Sequence, residues 1–289
     1  MIVDRRAGTF QLLRESVRPL LLLLFWDILV VAVFKLAHRP WMDQTGLPIP
    51  LLGSVLVLFM SVRNNAAYQR WWEARTLWGA VVNNSRSFAR QAETLARGRP
   101  DLTRAMIAYG HALRGSLSGT DTSEIVFGFL EPGMRAAMIP CANRANAILT
   151  EIARGLMRDE DAIDDAKHAA IDRVLSDLAN AQGGLERILR TPLAIQFAVF
   201  PGLITRALCI VLPLSIVQEL GWLTPLGSTL LGFLFVALDR IGADLENPFS
   251  ESLHALPMKA ITRTIEIDLL QTIGETAPPP ILAHNGVLP

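Results

Sequence analysis

Along the chain, apolar residues gather into four runs, and between the second and the third they recur instead at helical spacing. The first run, residues 19–34, reads PLLLLLFWDILVVAVF and is interrupted only by Asp27. The second, residues 47–62, carries no charge; the third, residues 192–217, carries Arg206 alone and has prolines at 201 and 213. The fourth, residues 222–238, is again uncharged. A membrane-crossing helix needs roughly 17–25 predominantly apolar residues, so these runs are short or polar-interrupted spans. The competing reading is a set of buried core helices in a soluble all-helical protein.

The polar stretches between the runs favour the spans. Lys and Arg total 27, and 17 of them fall in residues 63–190, whereas the turn at residues 218–221 has none. Cationic excess marks cytoplasmic segments. Arg18 before the first run, Arg63 and Arg70 after the second and Arg240 after the fourth agree on one topology. Both termini and the middle region lie inside, in an inner (plasma) membrane, and two short turns face outward. Trp41 and Trp222 at the outer ends, and Trp71, Trp72 and Trp78 past the inner end, fit interfacial aromatic belts. The first run is retained rather than cleaved, because Asp4 and Glu15 flank it and residues 37–40 make a poor cleavage site.

The middle region predicts helix throughout. Asn64 or Asn65 is placed to cap a helix running to about residue 97, where Gly98-Arg99-Pro100 stops it. Further helices are predicted over residues 100–118, 121–130, 134–157 and 161–190. The last carries Ile163, Ile171, Val174, Leu175, Leu178 and Leu185 on one face. The chain thus reads as five parts: a cytoplasmic segment 1–18, a transmembrane pair 19–62, a helical cytoplasmic domain 63–190, a second pair 191–239, and a C-terminal segment 240–289. Pro278-Pro279-Pro280 opens a tail without folding signals of its own.

Composition narrows the function. Of 289 residues 51% are hydrophobic and 19% charged, and the mean hydropathy is +0.34. Acids equal bases at 27 each, which removes the basic footprint of a nucleic-acid binder. Cys141 and Cys209 make neither a disulfide framework nor a cysteine metal cluster. The five histidines lack metal-ligand spacing, and there is no Walker lysine motif, G-x-S-x-G or G-x-G-x-x-G. No enzyme chemistry, metal or cofactor is therefore expected. The acidic run 159–165 reads as a solvated helix start. Two charges lie within apolar runs and are functional candidates by default. Asp27 stands between that role and structural pairing with another helix, and Arg206 reads as an interfacial, snorkelling cation.

The phrase at the end of the second run is VRNNAAYQRWWEARTLWG, residues 62–79. It resembles the signature of the bestrophin family in its prokaryotic and plastid branch. Thr191-Pro192-Leu193-Ala194, Leu212-Pro213-Leu214-Ser215, Trp222-Leu223-Thr224-Pro225 and Glu246-Asn247-Pro248-Phe249 are similar to later landmarks of that family, in order. Arg63, Arg70, Trp71, Glu73, Glu246, Pro248 and Phe249 carry most of the likeness, which covers about residues 5–272.

The resemblance implies an all-α membrane protein with four transmembrane helices in a 2+2 arrangement around a helical cytoplasmic domain, assembled with itself as a homopentamer in the lipid bilayer. It implies an ion channel whose second span lines a narrow neck at Ser54, Leu58 and Val62. Their spacing of four places them on one drifting helix face, though packing against other spans would use the same face. Rings of Leu58 and Val62 are apolar and uncharged, a constriction of the kind that gates by dewetting. Ser54 departs from the bulky apolar residue usual at its position, which widens or wets the outer neck. Asn64 and Asn65 either face ions at the inner neck or cap the inner helix. A lower aperture aligns near Ala166. Animal bestrophins bind calcium through carboxylates after the Pro-Phe landmark; residues 250–254 here hold one acid, and no calcium clasp is expected. Chloride and other anions are the first expectation for the permeant ion. The alternatives are a cation-selective homologue and a coupled secondary transporter, whose fold shows inverted repeats and broken helices.

Overall fold

The computed structural model describes residues 5–37, 49–157, 164–250, 252, 254–283 and 286–288, with side chains described from residue 17 onward. Among these, ten α-helices run in chain order: α1 (Arg5–Ala37), α2 (Ile49–Thr94), α3 (Pro100–Ser118), α4 (Ser123–Phe129), α5 (Pro132–Met138), α6 (Arg144–Met157), α7 (Asp165–Arg190), α8 (Ile195–Leu220), α9 (Thr224–Glu246) and α10 (Met258–Thr272). The chain divides into two compact units. One, the core unit, comprises Trp71–Thr191 with Pro248–Pro289; the other, the apolar unit, comprises Ile2–Arg70 with Pro192–Asn247.

In the core unit α3 is the central element. Its side chains from Leu102 to Leu113 are nearly all buried, and it packs against α4, α6, α7 and α10. Ala74, Trp78, Val81, Phe88, Ala89 and Ala92 of α2 belong to the same apolar cluster. Apart from the adjacent Phe88 and Ala89 they are spaced by three, four or seven, which puts them on one stripe of the helix. Two glycines permit close approach: a Cβ at Gly184 of α7 would lie 2.8 Å from Leu77, and one at Gly155 of α6 would lie 2.7 Å from Leu102.

The helix predicted over residues 100–118 is present with those bounds, and Ile171, Val174, Leu175, Leu178 and Leu185 are buried along α7. Ile163 and most of the acidic run lie outside the described residues. The single helix expected over residues 134–157 is two. Pro140 has no N–H to continue the ladder, and α6 starts afresh where Asn143 Oδ1 accepts the Asn146 N–H at 3.1 Å. Trp78 is fully buried, so it serves the core rather than an interfacial belt; Trp41 lies outside the described residues.

The apolar unit contains α1, the start of α2, α8 and α9. Three helical stretches are long and apolar enough to cross a membrane: Val17–Leu36, Ile49–Thr94 and Ile195–Glu246. The last is divided by a 3-10 turn at Gly221–Leu223 into α8 and α9. Helix α8 continues through both Pro201 and Pro213, so the breaks that those prolines suggest are not formed. α1 likewise continues through Pro19.

Close contact in this unit comes from small and polar residues. A Cβ at Gly232 of α9 would lie 3.0 Å from Leu23 of α1 and 3.3 Å from Cys209 of α8, the small-residue approach that apolar helices use where burial alone does not drive association. Trp26 Nε1 donates to the Ile210 carbonyl at 3.0 Å. Asp27 is fully buried and accepts hydrogen bonds from Ser228 Oγ at 3.0 Å and Thr229 Oγ1 at 2.7 Å. Pairing with a neighbouring helix is thus what Asp27 does, while Arg206 is exposed.

Candidate functional site

The first part of α2 has two unlike faces. Leu56, Met60, Arg63 and Ala67 are buried. Leu58 and Val62 are exposed, at 63% and 48%, Asn65 is exposed as well, and Ser54 is exposed. Steps of four, four and three keep these residues in one strip along an α-helix. The strip has a hydroxyl at one end, two branched apolar side chains in the middle and an amide at the other. Ser54 Oγ donates back to the Leu51 carbonyl at 2.8 Å, so its proton is spent locally while the oxygen still offers a lone pair outward.

The buried face is fastened by charge. Arg63, 2% exposed, pairs with the Asp239 carboxylate of α9, and its Nη2 donates to the Asp239 carbonyl at 2.9 Å. Next to it, Asn64 Nδ2 donates to the Leu238 carbonyl at 3.4 Å. A Cβ at Gly242 would fall on the Asn64 amide, so only glycine lets α9 pass there. Arg70 Nε then donates to the carbonyl of Glu246 at 2.9 Å, satisfying a carbonyl at the C-terminus of α9 that the helix leaves unpaired.

Capping by Asn64 or Asn65 is therefore corrected. Both lie in the interior of α2, which is continuous from Ile49 to Thr94, and there is no helix start for either to cap. The two amides also part company: Asn64 turns toward α9, and Asn65 stays on the exposed strip.

Several residues of the signature belong to the core unit. Trp71 Nε1 donates to the His254 carbonyl at 2.9 Å. Glu73 pairs with Arg187 of α7, both ends solvated. The Pro248 carbonyl accepts the Leu256 N–H at 2.9 Å, and Phe249 is buried in the apolar cluster. Ala166 is exposed at the second position of α7. Asp239 and Gly242 were not singled out from sequence. The available signal was an acid and a glycine just beyond the uncharged run 222–238, at the depth where Arg63 closes the second run.

Among the described residues no group of three or more His, Cys, Asp or Glu is placed to hold a metal ion. Glu251, the one acid after the Pro-Phe landmark, lies outside the described residues.

Long apolar helices packed through small residues and buried polar pairs, joined in sequence to a helical domain with its own apolar core, define an all-helical membrane protein. Residues 8–271 match the family of bacterial and fungal bestrophin proteins (Bestrophin_2), and the chain belongs to that family. It is 32% identical over 296 residues to the voltage-dependent anion channel-forming protein mll4386 of Mesorhizobium japonicum, an alignment covering 98% of this chain and 95% of the relative. It is 33% identical over 256 residues to the voltage-dependent anion channel-forming protein YneE of Salmonella typhi, covering 85% and 84%. Among solved structures, the bacterial bestrophin homolog from Klebsiella pneumoniae superposes with a TM-score of 0.82 at 27% identity, covering 90% of this chain and 99% of that one.

Proposed function

We propose that the chain forms a homopentameric channel passing monovalent anions, chloride first, with α2 of each copy lining a neck at Ser54, Leu58 and Val62. The observation that carries this reading is the uncovered strip of α2. An apolar face left bare beside a tightly fastened opposite face suits lipid, a partner copy or a pore wall; the resemblance of the second span to the family's neck supports the pore wall, and the names of the relatives favour anion conduction.

In this reading α1, the start of α2, α8 and α9 are four spans in a 2+2 arrangement in the inner membrane, with both termini and the core unit cytoplasmic. The five proposed parts of the chain, bounded at residues 18, 62, 190 and 239, accord with it. Five Leu58 and five Val62 side chains make a ring without charge. Such a constriction passes an ion only when it stays wetted, so small changes in radius change conductance steeply. Asn65 supplies amide dipoles at the inner end, Asn64 holds the wall against α9, and Ala166 leaves the lower aperture wide. A coupled transporter is disfavoured by α8, which runs unbroken through both prolines.

The test is the reversal potential of the purified protein in a planar bilayer across a potassium chloride gradient. Reversal near the chloride potential is expected; reversal near the potassium potential replaces the anion reading with a cation channel. Five copies of the 31.8 kDa chain give about 159 kDa in detergent for a closed cyclic assembly, and a monomer or dimer overturns the pore. Leu58→Ala should raise conductance or open probability; unchanged current places the gate elsewhere.

A further inference from the structure

The core unit encloses a cavity of about 260 Å³ between the end of α3, the start of α10 and the segment after Pro248. Part of its lining is apolar, from Phe249, Leu256 and Met258, and part is cationic, from Arg114 and Lys259, with hydroxyls from Ser118, Thr120 and Ser250. None of the described lining residues is acidic.

Arg114 is the residue that asks for a partner. It is half-buried, and its Nε is buried with no hydrogen-bond acceptor. The carboxylate nearest in effect is Glu266, whose two oxygens are already engaged: Oε2 faces His111 Nε2 at 3.2 Å, and Oε1 accepts from Arg263 at 3.3 Å. Burial, and then repulsion from Arg263, push the Arg114 guanidinium below its ordinary pKa against the pull of Glu266. A partly desolvated cation whose Nε lacks an acceptor is costly in a folded protein, and an anion in the cavity offsets that cost. The first turn of α10, which carries Lys259, has no side-chain cap, so its N-terminal dipole adds to the preference for negative charge.

We infer that this cavity is a binding site for a small organic carboxylate, its head on Arg114 and a short aliphatic body against Phe249, Leu256 and Met258. The planar fork of a guanidinium matches a carboxylate better than a spherical ion, and the mixed lining suits a ligand with an apolar body. The site is independent of the neck residues and of the ion-conduction reading.

The probe is hexanoate, titrated calorimetrically into the full-length protein in detergent at low salt, with hexan-1-ol as the uncharged match and empty micelles as the blank. Saturable binding of hexanoate with no saturable binding of hexan-1-ol is expected. Arg114→Gln should weaken hexanoate at least tenfold, or about 1.4 kcal/mol, and Lys259→Gln should weaken it less. No saturation by the wild-type protein, equal binding of the alcohol, or undiminished affinity in a folded Arg114→Gln variant would overturn the site. Where Arg114→Gln does not fold, the wild-type comparison of acid with alcohol decides alone.

Discussion

The two units use apolar residues in opposite ways. In the core unit one continuous cluster runs through α2, α3, α6, α7 and α10, with Trp78, Phe88, Met106 and Leu113 sealed from solvent. In the apolar unit the buried clusters hold three residues each, Val30, Val31 and Val217 in one and Leu56, Met60 and Leu208 in the other. Many of its large side chains, among them Leu22, Phe25, Leu203, Leu226 and Leu230, are exposed. Outward apolar faces and inward polar ones are what lipid selects, since lipid removes the hydrophobic drive for helices to associate. What holds the apolar unit together is then its hydrogen bonds, the Arg63–Asp239 ion pair and its glycines.

The sharpest way to break this contrast is to make like truncations in both units. Trp78→Ala should destabilise the core unit by about 3–5 kcal/mol, the range for emptying a large aromatic site in a packed core. Leu226→Ala, on a face 71% exposed, should shift unfolding by no more than about 0.5 kcal/mol. Thermal unfolding of both variants in the same detergent, followed by circular dichroism, makes the comparison. Equal losses would mean that the outer face of α9 is packed rather than bathed in lipid or detergent.

Next in size is the ion pair. Removing one member of a buried pair leaves the other uncompensated, at a cost of about 3–5 kcal/mol. Arg63 is 2% and Asp239 31% exposed, so Arg63→Met should sit near the lower end, about 3 kcal/mol. The double variant Arg63→Met with Asp239→Leu should recover much of that loss, since it removes both charges. Failure of the double variant to recover would show that the pair does more than satisfy itself. A smaller effect is expected at Gly242. Gly242→Ala drives a methyl into the Asn64 amide and should cost about 1–3 kcal/mol, with Asn64→Ala in the same chain restoring most of it.

These same residues mark how far the sequence could be read. Helix α7 was legible because one face repeats apolar residues every three or four positions, and α3 because it has clear stops in Pro100 at its start and Gly119 at its end. The apolar runs were legible as apolar helices because charge was displaced from them. The partners of these helices were not. Asp27 carries no mark of Ser228 and Thr229 two hundred positions away, and Arg63 none of Asp239, because tertiary hydrogen bonds leave no local periodicity. The α5–α6 break was under-read because Pro140 stands alone within an otherwise helical pattern. Helix α10 was passed over although Met258, Thr262, Ile265 and Leu269 repeat at helical spacing, because no side-chain cap marks its start. Along the start of α2, where the neck is proposed, spacing gave one strip, and the structure adds that Asn65 shares its exposure and Asn64 does not.

The smallest effect is expected at a charge pair of the core unit, set against the one in the apolar unit. Arg99 donates to both oxygens of Asp101, at 2.9 and 2.8 Å, at the start of α3. The two side chains are 20% and 23% exposed. Burial alone would raise the Asp101 pKa, but the Arg99 bonds and charge, with the Leu102 N–H, hold it below the usual carboxylate range. A carboxyl lowered in the folded state stabilises above its unfolded pKa, and that contribution fades as pH falls through the folded value. Asp101→Asn cannot titrate, so the wild-type advantage over it should be constant near neutrality and vanish on acidification below about pH 4. Solvent screening keeps the advantage at or below about 1 kcal/mol, and added salt should shrink it further. The Arg63–Asp239 pair, shielded from water at its arginine end, should lose far less to salt. Unfolding midpoints of Asp101→Asn and Asp239→Asn against wild type, at low and high salt and from pH 7 down, measure the difference directly. Equal salt sensitivity of the two pairs would mean that water reaches Arg63 as freely as it reaches Arg99, and the contrast between the two pairs would fail at that point.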